Sequence, residues 1–449
     1  MARTTPIDTV RELQRTLYRA AKAAPGRRFH ALYDKLSRSD VLERAWDQVR
    51  RNRGAAGIDR TTLADIEQYG IAQLLDELAT DLRTGRYRPL PGRRVWIPKP
   101  GTFERRPLAI PAVRDRVVQA ALKIVIEPIF EADFLPCSFG FRPKKAAHDA
   151  LQVLLDEAFR GRRWVVETDI ASCFEAIPHA RLMVAIEERI SDRHLLKLLR
   201  ALLRAGVLEE GTVRRSVTGT PQGGVVSPLL ANIYLHRLDR VWQTRGTGVL
   251  VRYADDLVVM GRDRPEAEQA LAALRLILAE LGLAPKETKT RIVELCEGGE
   301  GFDFLGFEHR WVRARGHPSR AIAFLARWPS RQGMQHARDR VRALTARERL
   351  RLPVETVVQD VNRFLRGWTG YFRYGNSARP FDQVMNYALG RLALFVAKRH
   401  KRPRSYGWWA VVHQSPDRLG LINLHGTVVA PRPNWGWRAK PNAGGEGRR

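Results

Sequence analysis

Two adjacent carboxylates, Asp255 and Asp256, lie in Tyr253-Ala-Asp-Asp256 between two apolar runs, Val249-Leu-Val251 and Leu257-Val-Val-Met260. Such runs read as strands, so the four residues form a tight turn that presents both carboxylates at a hairpin tip. A solvated turn would carry the same residues, since Asp is common in turns. Side by side, however, the two charges repel, and a divalent cation relieves that repulsion. A third carboxylate, Asp169, ends the run Trp164-Val-Val-Glu-Thr-Asp169. On a period of two it shares a face with Val165 and Glu167, while Trp164, Val166 and Thr168 face the other way. A strand-end Asp beside a hairpin Asp pair suits two Mg²⁺ ions about 3.5–4 Å apart: one activates a hydroxyl, and both brace the phosphorus it attacks.

A third segment, Thr218-Gly-Thr-Pro-Gln-Gly-Gly-Val-Val-Ser-Pro228, precedes the apolar series Leu229, Leu230, Ile233, Leu235 and Leu238. Its glycines permit close backbone approach, and Gln222 has the donors and acceptor to meet a sugar or a base edge. Read plainly, it is a Gly/Pro turn before a helix.

These residues need a scaffold, and the periodicities supply one. Residues 8–50 read as helices with basic faces, and residues 83–111 as Pro- and Gly-punctuated extended pieces forming a basic hairpin. Residues 112–132, 144–160, 179–205 and 264–282 read as helices. Residues 163–170 and 302–307 read as strands, and 248–261 as two strands around the turn. Beyond about residue 330 the pattern is helical. Over 354–368 an apolar stripe includes Val357, Val358, Val361, Leu365 and Trp368, with Arg363 and Arg366 off it. Strands mixed with helices, then helices alone, predict an α+β unit followed by an all-α unit. The last 40 or so residues, rich in Trp, Pro, Gly and Arg, predict irregular structure.

The 449 residues carry 77 Lys/Arg against 48 Asp/Glu, a net charge of +29, with 44% hydrophobic residues. That much apolar material rules out a disordered tail and suffices for two or three domains. The charge points to a polyanion, above all nucleic acid. Residues 301–449 hold 28 basic against 9 acidic residues and seven of the 11 Trp. Cations for phosphates and aromatics for bases suit RNA or single strands. Cys137, Cys173 and Cys296 form no Cys-x-x-Cys pair, which argues against a disulfide framework or a Cys-rich zinc site and fits a reducing compartment. With no apolar signal core and no apolar stretch of 18 residues, the expectation is a cytoplasmic protein without a membrane partner.

Taken in order, the motifs resemble the reverse transcriptase family, and within it the group II intron-encoded reverse transcriptase/maturase that lacks an endonuclease. The resemblance runs from about residue 10 to about 400. It rests on Ile97-Pro-Lys-Pro100, Arg106-Pro-Leu-Ala-Ile-Pro111, Ser138-Phe-Gly-Phe-Arg-Pro143, Thr168-Asp-Ile170 with Cys173-Phe174, Thr220-Pro-Gln-Gly-Gly224 with Ser227-Pro228, Tyr253-Ala-Asp-Asp256 and Phe304-Leu-Gly-Phe307. Gly367-Trp-Thr-Gly-Tyr-Phe-Arg-Tyr-Gly375 is similar to the maturase thumb.

The resemblance implies an α+β right-hand polymerase, with fingers and an antiparallel palm sheet, followed by an all-α thumb/maturase domain. The expected division is a helical extension at 1–50, fingers and palm at 51–310, thumb at 311–400 and a basic Trp-rich tail at 401–449. Asp169 and Asp255 are expected as the main ligands of two Mg²⁺, with Asp256 as third carboxylate and the Ile170 carbonyl as a further donor. Phe174, five residues after Asp169, is expected under the incoming sugar, where its ring would clash with a 2′-OH; otherwise it is a core residue. Lys99 and Arg106 are expected to grip the triphosphate of a dNTP, with Arg105 one position away and RNA-backbone contact as the plainer role. Gln222 is expected at the nucleotide. Arg363, Arg366, Arg373, Lys398 and Arg399 are expected to face RNA, with Arg340, Arg342 and Arg347 as further outward cations. Implied partners are structured intron RNA, an RNA template with a DNA primer, and dNTPs, in the cytoplasm near a bacterial nucleoid.

Ala171 and Glu175 depart from the family pattern without touching the metal ligands. Larger members continue into a DNA-binding region and a cysteine-paired endonuclease; the Cys-free last 50 or so residues give no expectation of DNA cleavage. Two other readings share these motifs: a reverse transcriptase of a retron, diversity-generating element or defence system, and a splicing maturase with little polymerase activity.

Overall fold

The structure, a computed structural model, describes residues 6–98, 105–209, 212–214, 218–219, 223–314, 323–413 and 420–434. Five helices open the chain: α1 (Pro6–Ala23), α2 (Tyr33–Leu36), α3 (Ser39–Arg51), α4 (Leu63–Tyr69) and α5 (Ile71–Arg83). In α3 the buried residues Val41, Leu42, Ala45, Trp46 and Val49 follow helical spacing, so one stripe is removed from water while the charged residues stay outside. Strands β1 (Gly92–Pro98) and β2 (Arg105–Ile110) form the expected basic hairpin, paired from Arg93↔Ile110 to Pro98↔Arg105. Helix α6 (Val113–Glu131) is buried almost all round and acts as the spine of the first core. Then come α7 (Ala147–Phe159), β3 (Trp164–Asp169), the one-turn α8 (Cys173–Ala176), α9 (His179–Glu187), α10 (Arg193–Arg204), β4 (Val207–Glu209) and β5 (Thr212–Arg214). Strand β4 lies parallel to β1, giving a four-stranded sheet in the order β2-β1-β4-β5.

After α11 (Ser227–Arg245) the chain forms β6 (Val249–Tyr253) and β7 (Asp256–Gly261), then α12 (Arg264–Glu280) and β8 (Arg291–Glu294). Strands β6-β7-β3-β8 make an all-antiparallel sheet. Both of its faces are buried. Val166, Leu250, Leu257 and Val259 join the core of the N-terminal helices, α6, α11 and α12. Val165, Val251, Val258 and Met260 join a second core with α7 and the C-terminal helices. Burial on both sides explains why these strands read as unbroken apolar runs.

The aromatic segment predicted as one strand over 302–307 is two. Strands β9 (Phe302–Phe304) and β10 (Phe307–Arg313) are joined through Leu305 and Gly306, which have φ 51° and 78°. Strand β11 (Ala323–Pro329) completes a sheet in the order β11-β10-β9. The helical region follows: α13 (Arg331–Leu344), α14 (Val354–Phe372), α15 (Ala378–Arg399) and the short α16 (Arg404–Trp408). One π-helical turn over Trp409–His413 runs into the last 40 residues, expected to be irregular. No helix among the described residues is long and apolar enough to cross a membrane.

Candidate active site

Only Ala254 and Asp255 separate β6 from β7, with Tyr253 paired to Asp256. Ala254 takes φ 57°, a left-handed backbone that costs a non-glycine residue free energy and must be held by its surroundings. Three things hold it. The Arg252 guanidinium donates to the Ala254 carbonyl at 3.1 Å. The same guanidinium is fully buried against Asp239 of α11, with Nε donating to Oδ1 at 2.7 Å, and also reaches Asn232 Oδ1 at 3.1 Å and Ser138 Oγ at 2.8 Å. Gly140 packs on the tip so closely that a Cβ there would lie 2.5 Å from the Ala254 amide nitrogen. Asn232 closes the network by donating to the Gly140 carbonyl at 2.7 Å. The loop carrying Ser138 and Gly140 is itself clamped by Arg142, which pairs with Glu131 at 2.6 Å and donates to the Leu135 and Ser138 carbonyls at 2.7 Å each.

Asp169 is the last residue of β3 and stands directly opposite Asp256 of β7. The Ile170 amide donates to the Asp255 carbonyl at 3.0 Å, tying the strand end to the hairpin tip. Asp169 and Asp256 are near enough for their carboxyl groups to act on each other directly. Burial first, then the Asp169 hydrogen bond and charge, push Asp256 well above the ordinary carboxylate range. Burial also works upward on Asp169, but the hydrogen bond with Asp256 and the Lys289 ammonium outweigh it and leave this group low. Burial raises Asp255, reinforced by the charge of Asp169. Lys289 Nζ contacts Asp169 Oδ2. The segment bearing Lys289 runs beside the end of β3: the Lys286 amide donates to the Asp169 carbonyl at 2.7 Å and the Ala171 amide to the Ala284 carbonyl at 2.9 Å. Among the described residues no group of three or more His, Cys, Asp or Glu side chains is already gathered as a metal site. The donor set is nonetheless all oxygen and short of positive charge, which suits a hard cation such as Mg²⁺ better than a soft one.

Of the residues expected at the nucleotide, Phe174 and Arg106 are among those described. Phe174 lies in α8, half-buried against the first core, after Ser172 at φ 45°. Gly219 presses on that turn; a Cβ there would lie 3.0 Å from Glu175 Cα and 3.1 Å from the Phe174 carbonyl. His179 Nε2 donates to the Gly219 carbonyl at 2.6 Å. At the other end of the Gly-rich segment, a Cβ on Gly223 would lie 2.6 Å from the Ala109 carbonyl of β2. Gly219 thus packs on the turn that follows Asp169, and Gly223 on β2. Gln222, between the two anchors, and Lys99, between the two strands, lie outside the described residues. Arg106 is exposed on β2 opposite Ile97.

Arg363, Arg366, Arg373 and Lys398 face solvent, as do Arg340, Arg342 and Arg347. Arg363 pairs with Asp360 at 3.1 Å across its own helix. Arg399 differs from expectation: half-buried, its Nη1 donates to the Leu350 and Leu352 carbonyls at 2.5 Å each and fastens α15 to that turn. The sequence reading missed Lys289 and the Arg252–Asp239 pair. Each left a signal: a lysine in Ala284-Pro-Lys-Glu-Thr-Lys-Thr290 beyond a helix, and an arginine inside an otherwise apolar strand.

The fold is that of a right-hand polymerase, with an antiparallel palm sheet followed by helices. The family described as reverse transcriptase (RNA-dependent DNA polymerase) matches residues 97–309, and the group II intron maturase-specific domain matches residues 334–413. Protein YkfC of Escherichia coli (strain K12) is 34% identical over 68% of this chain and 89% of its own length. The group II intron-encoded protein LtrA of Lactococcus lactis subsp. cremoris is 39% identical over 47% of this chain and 35% of its own. A 91 kDa protein in the cob intron of Schizosaccharomyces pombe is 38% identical over 46% of this chain and 25% of its own. The chain therefore spans most of YkfC but about a third or less of these two intron proteins. It belongs to the reverse transcriptase family, the RNA-directed DNA polymerases, in its group II intron maturase branch.

Proposed function

We propose that this protein copies RNA into cDNA by two-metal nucleotidyl transfer and binds the RNA of a group II intron to assist its splicing and mobility. The observation that carries the catalytic half is Asp169 standing opposite Asp256 beneath a hairpin tip that bears Asp255. Asp169, Asp255 and Asp256, with the Ile170 carbonyl, would hold two Mg²⁺. When bound, these ions supply Lewis acidity to the attacking hydroxyl and to the phosphorus and its leaving group. The protein's own residues set the stage. The Arg252 network fixes the hairpin, and the Ile170–Asp255 hydrogen bond fixes strand end to tip. Arg106 and Lys99 grip the triphosphate of the dNTP. Phe174 lies under its sugar and refuses a 2′-OH, while Gln222 meets the nucleotide from the Gly-rich segment.

The RNA-binding half rests on the maturase-specific match and on the exposed cations Arg363, Arg366, Arg373 and Lys398. On this reading the protein works in the cytoplasm, among the nucleic acids of the nucleoid. Primer extension on poly(rA)/oligo(dT) tests the catalytic half. Asp255→Asn is expected to lower extension by at least about 10³-fold, since it removes an anionic metal ligand, while intron-RNA affinity stays within about twofold because phosphates are held by cations elsewhere. Full extension by the variant would refute the assignment.

A further inference from the structure

The β10–β11 ribbon has two faces. Phe307, His309, Trp311, Leu325 and Arg327 pack inward. Glu308, Val312, Phe324, Ala326 and Trp328 point the other way and floor a groove of about 1120 Å³. The N-terminal turns of α13 and α15 form its far wall, contributing Arg331, Gln335, Arg338, Arg379 and Gln383.

The electrostatics of that wall are unusual for helix starts. A helix N-terminus carries partial positive charge and favours acidic residues. Neither α13 nor α15 has an acidic residue in its first turn, whereas Arg331 and Arg379 do stand there. Neither arginine makes an ion pair among the described residues, and Arg338 reaches only Gln335 Oε1, at 3.4 Å. The carboxylate on the floor is already neutralised: Glu308 accepts from Arg310 Nε at 2.9 Å and from Trp328 Nε1 at 3.3 Å. On the wall, Asp339 accepts from Gln335 at 2.9 Å and lies 3.8 Å from Arg342. The groove thus combines uncompensated cations with an apolar floor, an indole and side-chain amides. Phosphates answer the cations; planar, hydrogen-bonding bases answer the rest.

We propose that this groove binds an unpaired stretch of RNA, with phosphates on Arg331, Arg338 and Arg379 and bases laid against Trp328 and the apolar floor. The proposal deepens the RNA-binding reading and rests on it. A duplex does not suit the site, because its bases are stacked inside and cannot reach the floor; an unpaired strand turns them outward. The volume exceeds the about 300–1,000 Å³ of a small-molecule site, which leaves room for more than one nucleotide.

The first test uses the unaltered full chain. A single-stranded oligoribonucleotide carrying 4-thiouridine is photo-crosslinked to it and the modified peptides are mapped by mass spectrometry. Crosslinks within residues 323–338 are expected, Trp328 and Met334 foremost; a map with none there or in 376–383 overturns the proposal. In the second test Arg331→Gln/Arg379→Gln is expected to weaken binding of the same RNA about tenfold. The slope of log affinity against log salt should flatten by about 1.4, at about 0.7 per phosphate contact of a single strand. Extension on a saturating short primer–template is expected to stay unchanged, as is the melting temperature. An unchanged slope and affinity overturn the groove while leaving RNA binding elsewhere intact. No RNA binding by the unaltered protein would instead remove the broader reading, and the groove with it. Competition separates the sources: displacement by a single-stranded template overhang supports the template strand as occupant, and displacement only by a folded RNA with open loops supports the intron.

Discussion

At the residue scale the centre has a charge problem that its neighbours partly solve. Asp169, Asp255 and Asp256 are each half-buried and feel one another's charge, and the Lys289 ammonium partly offsets it at Asp169. A cation entering there would compete with Lys289 for Asp169. Phe174 poses a different question, of shape. Its ring is half-buried on a one-turn helix whose backbone is pinned by Gly219. Phe174→Val keeps an apolar contact with the core but removes most of the ring. Discrimination between dNTP and NTP is expected to fall by about tenfold or more, equivalent to about 1.4 kcal/mol at the transition state. Single-nucleotide incorporation assays give the ratio directly, and an unchanged ratio would make Phe174 a packing residue only.

At the element scale the hairpin carboxylates depend on a two-residue turn in a costly conformation. The fully buried Arg252–Asp239 pair is worth little as net stability, since desolvation offsets most of its attraction. Its use is positional: it joins α11, the Ser138 loop and the hairpin in one satisfied network. Gly140 is the tightest part of that arrangement. Gly140→Ala would put a methyl 2.5 Å from the Ala254 nitrogen, so hairpin or loop must shift. A displacement of about 1 Å at a reacting group can cost about 10²-fold in rate. The expected result is a loss of extension of that order, with cooperative melting retained. Wild-type extension in Gly140→Ala would show that the tip tolerates the shift.

At the scale of the whole molecule the charge is arranged as well as abundant. The last third carries the larger share of the +29 excess, well beyond the charge a domain needs for solubility. Helix α14 turns its apolar stripe into the second core and leaves Arg363 and Arg366 outside. If both meet phosphates, Arg363→Gln/Arg366→Gln should flatten the salt dependence of intron-RNA affinity by about one to two units. Arg363 is already paired with Asp360, which biases the expectation toward the lower figure. Extension on a short saturating primer–template should change less, because the palm is untouched. Titrations across a salt series decide it, and identical slopes would return both residues to ordinary solvated surface.

Much of this protein was legible in its sequence. Tyr253-Ala-Asp-Asp256 between two apolar runs determines a hairpin with carboxylates at its tip, because strand periodicity and turn chemistry are local. The α14 stripe and the β1–β2 hairpin followed from local pattern in the same way. Family motifs in order then supplied the relation between segments far apart in the chain. What only the tertiary structure decided is non-local. The register that sets Asp169 opposite Asp256, rather than one residue off and on the other face, comes from pairing across an interval of more than 80 residues. Lys289 acquired its role because residues 284–290 run beside β3. Arg399, which sequence alone placed among outward cations, turned out to fasten two carbonyls, since its environment is built by a turn some 50 residues earlier. The third sheet was legible only in part: residues 302–307 read as one strand, while the break at Leu305–Gly306 and the pairing of β10 with β11 depend on contacts that periodicity does not register.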